Sequence, residues 1–451
     1  MNARSCLSGR RLSVFLLGLY SLVTAALAGD DVDASAVTLP RRFDLATARE
    51  LAINHSRVIA QARERIREQE GVIIEAKAAK KPRVDLNTNY DATGENRIES
   101  FGGLFAPIGQ KWSSDVSVAY TVLDGRFRDS TTQAAEASRA AAAAQMEAVI
   151  DDVLLQVSER YFDALLATDQ IDVQEKAIGV LDEQLNYAKN RFDAGTGPQF
   201  DVLQAEVARA NARPPLVRAQ SRYKTAIDQL RRAIGLEYPE GVEADGIELA
   251  ERWPNAKQRE TLGNAIHQAM ENRAELAALK SQIAAGEKSV EAEKARHKPK
   301  LEVVGGYGAQ SLSFTDDITD GLAGFVGGVR LSIPLYDGGL TRGRVLQARS
   351  RLRQTEISTE QEKLNIAGQV REAWFDWEEG TSILETSQLV VKQAEEALRL
   401  ARASFEAGAA TQLDVLQSQL ELTRARLEEV VALHTYHTAL ARLRRAMGAG
   451  S

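Results

Sequence analysis

The sequence contains little cysteine, proline or aromatic side chain, and each scarcity excludes something. Cys6 is the only cysteine in 451 residues, which excludes an internal disulfide framework and a cysteine metal site. Ten prolines and 6% aromatic residues are few for a chain that is 44% hydrophobic and 26% charged. Alanine, leucine, glutamate, arginine and glutamine fill most of its length, which is typical of long helices and coiled coils.

Long hydrophobic runs are absent after residue 28, and the first 28 residues have the pattern of an export signal. Three arginines (Arg4, Arg10, Arg11) precede the apolar stretch Leu12–Ala28, which ends in Ala-Leu-Ala. A membrane anchor is the alternative interpretation. Cleavage after Ala28 would remove the cysteine and the three arginines and would change the formal net charge from −7 to −10. We therefore expect no nucleic-acid partner, since no basic cluster remains to neutralise phosphates.

The remaining chain is an internal duplication. "AGTGPQFDVLQ" (194–204) recurs as "AGAATQLDVLQ" (407–417), and "LRRAIG" (230–235) recurs as "LRRAMG" (443–448), both 213 residues later. The repeat predicts three regions: a signal peptide at 1–28, a first structural repeat at 29–240 and a second at 241–451. Each repeat begins with a helix and continues with a variable insert and a very long helix.

The inserts, at about 84–123 and 301–336, alternate with period two and so predict one β-hairpin each. Apolar side chains alternate with polar ones in "VDLNTNYDATG" and "DVSVAYTVLD", which fits either transmembrane strands or a soluble, half-buried hairpin. If these four strands lie in lipid, several chains must share one barrel, because the smallest barrels have about eight strands and open edges are forbidden there.

Helices without glycine or proline for most of their length follow the hairpins. Apolar residues at three- and four-residue spacing predict long coiled-coil helices at about 127–194 and 341–407, each roughly 100 Å long. Shorter helices follow at about 198–234 and 411–447. Pro214-Pro215 interrupts the first of these, and we expect a kink or a break there.

With these features in place, the chain resembles the TolC-type outer membrane efflux family. The most specific elements are "RFDAGTGPQFDVLQ", "SFEAGAATQLDVLQ" and "LSIPLYDGGLTRGRV". The resemblance implies a mainly α fold with β: a homotrimer with a long coiled-coil helical barrel that crosses the periplasm of a Gram-negative bacterium. Four strands from each chain would form a shared 12-stranded transmembrane β-barrel. It also implies two partners, a periplasmic adaptor and an inner-membrane pump of the RND or ABC type.

In this family the two repeated turns are the helical tips that close the tunnel and meet the adaptor. The expected docking residues are small or short: Ala194, Gly195, Thr196, Gly197, Ala407, Gly408, Ala409 and Ala410. Asp414 aligns with an aspartate of the pore entrance, and Asp201 is its counterpart in the first repeat. An aspartate in the first turn of a helix also complements the helix dipole without any pore.

The chain departs from the family pattern at three positions of the lock. A second entrance aspartate falls on Gln417, an arginine on Ala410 and a tyrosine on Phe405. We therefore expect a latch that is weaker or differently built, and we include Gln417 in the predicted entrance ring.

No catalytic motif is present in a suitable context, so we expect neither an enzyme nor a cofactor. His434 and His437 could supply two metal ligands, but a packed or solvated pair is the preferred interpretation, and we expect no metal site. Trp374 and Trp377 are interpreted as packing anchors between the repeats. A passive duct is the predicted function, and an exported coiled-coil spacer in the periplasm is the alternative.

Overall fold

A computed structural model of the chain describes residues 42–93, 110–236, 248–250, 253–254, 261–311 and 319–449. These residues belong to one compact unit. The predicted signal peptide at 1–28 lies outside the described residues. The tips of both predicted hairpins, at 94–109 and 312–318, also lie outside them.

The described helices and strands occur in the same order in each repeat. The first repeat contains β1 (Arg42–Phe43), α1 (Leu45–His55), α2 (Arg57–Ala78), β2 (Arg83–Ala92), β3 (Gln110–Leu123), α3 (Phe127–Asp193) and α4 (Gln199–Ile234). The second contains β4 (Glu248–Leu249), α5 (Leu262–Asn272), α6 (Ala274–Ala295), β5 (Lys300–Ser311), β6 (Gly321–Ser332), α7 (Leu340–Glu406) and α8 (Gln412–Ala446). The predicted fold class, mainly α with four longer strands per chain, is confirmed.

The four longer strands form one antiparallel sheet in the order β2-β3-β5-β6. The two hairpins therefore pair with each other through β3 and β5, while β2 and β6 have their outer edges unpaired among the described residues. β1 and β4 form a separate two-residue parallel pair. The chain thus presents a sheet with two open edges.

The sheet has one apolar and one polar face. The cross-strand partners Leu86, Val116, Tyr307 and Phe325 form an apolar row. The adjacent row contains Asn87 and Asp115, which share a 3.2 Å hydrogen bond from Nδ2 to Oδ2. The apolar side is uncovered, since Leu86 is 68% exposed and Phe325 is 88% exposed.

Each repeat has its own small core where its short and long helices meet. Ala48, Ala52, Val157 and Leu230 pack together in the first repeat. Their counterparts Ala265, Ala269, Val370 and Leu443 pack in the second. The small alanines let the helices approach closely, so equivalent sequence positions build equivalent cores.

Two expectations about the helices can be compared with the structure. Trp374 and Trp377 meet edge to face at 5.2 Å and pack against the second-repeat core, within one repeat and not at the expected boundary between the repeats. α4 continues through Pro214-Pro215, so the helix does not break there. The carbonyl groups that lose their N–H partners belong to Ala210 and Asn211, which are exposed residues whose carbonyls water can satisfy.

Among the helices that the structure describes, none combines the length and the hydrophobicity needed to cross a bilayer.

Candidate functional site

The two repeated turns have the same backbone conformation. We call residues 194–198, between α3 and α4, tip 1, and residues 407–411, between α7 and α8, tip 2. Gly195 has φ +73° and Gly408 has φ +75°, a left-handed conformation that favours glycine. The amides after each glycine donate back to one carbonyl of the preceding helix, that of Arg191 in tip 1 and that of Ser404 in tip 2. The duplication has therefore conserved a closed helix–turn–helix geometry.

The predicted docking residues lie on the surface of these tips. The exposed ones are Ala194, Gly195, Thr196, Ala407, Gly408 and Ala409, and the half-buried ones are Gly197 and Ala410. A Cβ atom added at Gly195 or Gly408 would meet no neighbour within 4 Å. The tips are thus open to approach from outside the chain.

The helices that leave the tips begin differently. Thr411 and Asp414 form a capping box: the Asp414 carboxylate accepts hydrogen bonds from the Thr411 amide at 2.8 Å and from its hydroxyl at 2.7 Å. These bonds lower the pKa of Asp414 below its usual value, so the carboxylate stays ionised. Pro198 occupies the same position in tip 1 and provides no side-chain cap.

Asp201 differs from its counterpart because its carboxylate has no hydrogen bond or ion pair among the described residues. Its backbone carbonyl instead accepts a hydrogen bond from Gln412 Nε2 at 3.4 Å, which joins the first turns of α4 and α8 next to the tips. Gln417 is exposed and lies one helical turn beyond Asp414. The structure thus brings Asp201 and Asp414 to the same end of the molecule, one carboxylate free and the other engaged in capping.

A second link between the tips is a cluster of three side chains that the sequence analysis missed. The ring of Phe405 on α7 meets the ring of Tyr187 on α3 edge to face at 6.0 Å. The guanidinium of Arg191 lies 5.6 Å from the centre of the Phe405 ring and 6.0 Å from that of Tyr187. We call these three residues the aromatic clasp. In the second repeat the positions of Tyr187 and Arg191 are occupied by Leu400 and Ser404. This difference between the repeats was the only feature of the sequence that pointed to these two residues.

An apolar groove of about 1040 Å³ lies behind the tips, between α4 and α8 and over α3. Its lining includes Val207, Leu413, Gln417 and Leu420. Three of these are well exposed: Val207 at 59%, Leu413 at 54% and Leu420 at 62%. The surface next to the tips is therefore an exposed apolar patch, of a kind that proteins usually cover with another molecule.

The two histidines of α8 have separate roles away from the tips. His434 Nε2 lies 2.9 Å from Asp163 Oδ1 on α3, a contact between the repeats. His437 is buried and stacks on Trp253 at 5.2 Å. Burial lowers the pKa of His437 to about 4, and the nearby positive charge of Arg444 acts in the same direction. Among the described residues no group of three or more potential ligands could hold a metal ion.

The comparisons with known proteins agree with this architecture. The family model described as "Outer membrane efflux protein" matches residues 48–236 and 265–449. Alkaline protease secretion protein AprF of Pseudomonas aeruginosa is 27% identical over 65% of this chain and 60% of its own length. Cobalt-zinc-cadmium resistance protein CzcC of Cupriavidus metallidurans is 25% identical over 94% of this chain and 95% of its own. The solved structure of the outer membrane protein VceC from Vibrio cholerae has a TM-score of 0.72 at 20% identity and covers 90% of this chain and 96% of its own.

Proposed function

Because the chain belongs to the outer membrane efflux protein family, we propose that three copies of it form the passive outer-membrane duct of a tripartite exporter. The protein is an outer membrane channel of efflux or secretion. The proposal adds to this a trimer, a periplasmic adaptor and an inner-membrane pump of the RND or ABC type, which supplies the energy. No catalytic step and no cofactor is part of it.

The sheet is the observation that carries the proposal. Its apolar face is exposed and its outer strands β2 and β6 leave a row of backbone groups unpaired among the described residues. In lipid each such group costs several kcal/mol, so the edges must be paired with another chain. Four strands are too few to close a barrel alone, whereas three copies would supply twelve.

The helices support the same assembly. α7 keeps large apolar side chains in water along its whole length, among them Leu346 at 65%, Leu364 at 69% and Phe375 at 58% exposure. Burying one such side chain contributes about 1.5–3 kcal/mol. A second copy placed against α7 and the groove between α4 and α8 would cover these side chains and continue the helical wall.

We place the adaptor contact and the tunnel entrance at the tips. Three copies would bring up to six carboxylates, Asp201 and Asp414 of each, around one opening, with Gln417 beside them. Rings of carboxylates favour cations in a pore. The small residues of both tips would let neighbouring tips and an adaptor pack closely.

The proposed duct is not assigned to one cargo. One relative is named for secretion of a protease and another for resistance to cobalt, zinc and cadmium. A duct that receives its cargo from a pump needs no selective pocket of its own.

Reconstitution of the full-length, processed protein into planar bilayers tests the duct. We expect ion conductance, and native mass spectrometry should give a mass of three chains. A soluble, elongated oligomer without conductance would overturn the duct and favour the periplasmic spacer. As a refinement, Asp201→Asn should reduce the cation preference of the conductance without loss of the trimer.

Cysteine crosslinking tests the docking surface. Thr196→Cys and Ala409→Cys are better probes than the neighbouring glycines, because a side chain at Gly195 or Gly408 would strain the left-handed turn. We expect crosslinks to a captured adaptor from both sites, and none from the control Ala323→Cys on β6. Absence of crosslinks from every tip position would contradict docking.

A further inference from the structure

The four connections between the sheet and the helices lie at one level of the molecule. Arg128 Nη1 donates to the carbonyl of Ala79 at 3.2 Å, which joins the start of α3 to the end of α2. Lys298 Nζ donates to the carbonyl of Gly125 at 3.3 Å, which joins the α6–β5 connection to the β3–α3 connection. His297 Nδ1 lies 3.9 Å from Asp337 before α7. The connections therefore form a continuous band below the sheet.

This band is strongly basic although the chain is acidic. The segments 79–83, 123–129, 296–300 and 333–344 contain ten lysines and arginines and three acidic residues, a net charge of +7 against −7 for the whole chain. Five exposed cations have no acidic partner within 4 Å among the described residues; we call them the basic collar: Lys81, Arg126, Lys298, Arg342 and Arg344. The sequence analysis found no basic cluster, because these side chains are spread over four distant segments.

Arg126 adds an independent observation. It has φ +75°, and it is the only described residue other than glycine with a positive φ. Gly339 occupies the equivalent position before α7, with φ +90°. The first repeat thus keeps an arginine where the second shows that glycine fits, so the guanidinium is retained against a conformational penalty.

Apolar side chains adjoin the collar on the side of the sheet. Leu335 and Tyr336 are each 90% exposed, and Leu331 at the end of β6 is 60% exposed. An aromatic side chain at the margin of an apolar band, next to lysines and arginines, is the arrangement of a membrane–water interface. The collar is continuous with the apolar face that we place in lipid.

From this arrangement we infer that the basic collar binds the headgroups of anionic phospholipids in the leaflet that faces the helical part of the protein. The inference rests on the proposed function, because it needs the sheet in a membrane. Leu335 and Tyr336 enter the interface, and the collar cations, which have no acidic partner in the part of the chain that the structure describes, attract the phosphates beside them. Each lysine or arginine near an anionic surface changes the partition by about fivefold.

Lipid retention by the full-length protein tests the inference. The detergent-purified protein is equilibrated with equal amounts of phosphatidylglycerol and phosphatidylethanolamine, and the lipid that remains bound is quantified by mass spectrometry. We expect wild type to be enriched in phosphatidylglycerol, and Lys81→Gln/Arg126→Gly/Lys298→Gln, which keeps Arg342 and Arg344, to lose most of that enrichment. A matched variant, Arg63→Gln/Arg218→Gln/Lys392→Gln, removes the same charge from exposed helix positions and should keep the wild-type ratio.

Arg126→Gly separates lipid binding from folding. It removes the unfavourable backbone conformation, so its thermal midpoint should equal or exceed that of wild type while the enrichment falls by up to about fivefold.

No enrichment in wild type, an unchanged ratio in the triple variant, or equal loss in the matched variant would overturn the inference. Loss of adaptor binding by the triple variant, with lipid retention unchanged, would also overturn it. Conductance in bilayers without any lipid preference would defeat this inference alone, whereas absence of conductance in every lipid would defeat the proposed function.

Discussion

The two long helices α3 and α7 have equal length and equivalent places in the duplication, yet their surroundings differ. Each has 67 residues; α3 buries 19 of them within the chain and α7 buries seven. α3 is packed against α1, α2, α4, α6 and α8, whereas α7 is packed against α5, α6 and α8. Duplication has preserved the backbone while the surfaces have diverged, and the less covered helix is the one that the proposed trimer would cover.

The divergence extends to the buried ion pairs. Arg445 on α8 is 6% exposed and donates to Asp152 at 2.8 Å and to Glu275 at 2.7 Å. Its counterpart in the first repeat, Arg232, is exposed. Arg445 thus lies in a partly buried charge network that reaches Asp152 on α3 of the first repeat, whereas Arg232 lies in solvent.

The largest effect is expected from Arg445→Ala. Removing one partner of a buried pair costs about 3–5 kcal/mol. Because the side chains of Asp152 and Glu275 are 68% and 26% exposed and Arg273 Nε also lies 3.1 Å from Glu275, we expect no more than the lower end of that range, about 3 kcal/mol. Arg232→Ala is the matched control and should change stability by less than about 0.5 kcal/mol. The free energy of unfolding from denaturant titration measures both, and equal effects would mean that the two repeats do not differ here.

The next effect is a pH dependence that arises at His437 on α8, whose counterpart in the first repeat is Lys224. The buried His437 has a pKa of about 4, below the unfolded value of 6.5, because burial disfavours its charged form and because Arg444 and His434 lie near it. Above pH 6.5 the imidazole of residue 437 is neutral in both the folded and the unfolded protein. As the pH falls towards 4, the unfolded protein binds the proton first, so the free energy of unfolding decreases by up to about 3 kcal/mol. His437→Phe keeps a ring against Trp253 and should remove this part of the slope.

Thermal midpoints between pH 7 and pH 4 measure that slope. His267 on α5, whose side chain is 74% exposed, provides the control: His267→Phe should leave the wild-type slope intact. Asp163 affects the pH dependence of stability only at lower pH. Burial raises its pKa, but hydrogen bonds from His434 and Arg160 outweigh this and lower it, so its contribution is lost below its unfolded value of 3.8. A slope that survives in His437→Phe would contradict the assignment.

Features that repeat could be predicted from the sequence, and features that occur once could not. The fold class follows from periodicity, because alternation and three- to four-residue spacing report burial directly. The continuity of α4 through Pro214-Pro215 could not be predicted, since it depends on the exposure of two carbonyl groups. Nor could the basic collar, because only the topology brings its four segments together.

The tips show the same division. Gly195 and Gly408 indicate their left-handed turns from the sequence, as helix-ending glycines before a new helix. The alternative interpretation of Asp414, an aspartate that complements the helix dipole, did not include the capping box that the structure shows. The role of Asp414 and Asp201 in an entrance ring stays a prediction. The aromatic clasp was not predicted because its contacts depend on where α3 and α7 lie side by side.

A smaller effect tests whether the two tips are equivalent. Gly195→Ala and Gly408→Ala each place a Cβ atom at a φ near +74°, which costs about 1–2 kcal/mol. Since neither Cβ atom would meet a neighbour, the two penalties should be equal. Gly263→Ala is the control, because this helical glycine also has open space around it and alanine there should stabilise the protein by up to about 1 kcal/mol. Local opening measured by hydrogen exchange at residues 194–198 and 407–411 reports the result, and clearly unequal penalties would refute the equivalence.

The smallest effect concerns the aromatic clasp, which joins α3 to α7 next to the tips. A cation over an aromatic ring at an exposed site contributes about 0.5–1 kcal/mol. Arg191→Ala should therefore lower the free energy of opening of tip 2 by that amount, and a double-mutant cycle with Phe405→Leu should show that most of it is shared by the pair. Arg402→Ala, an exposed arginine on α7, is the control and should show no coupling. Hydrogen exchange at residues 404–411 provides the free energies. A coupling near zero would mean that Phe405 does not hold the tips together. A coupling of the expected size would mean that the guanidinium of Arg191 on the Phe405 ring helps to hold α3 and α7 together next to the tips.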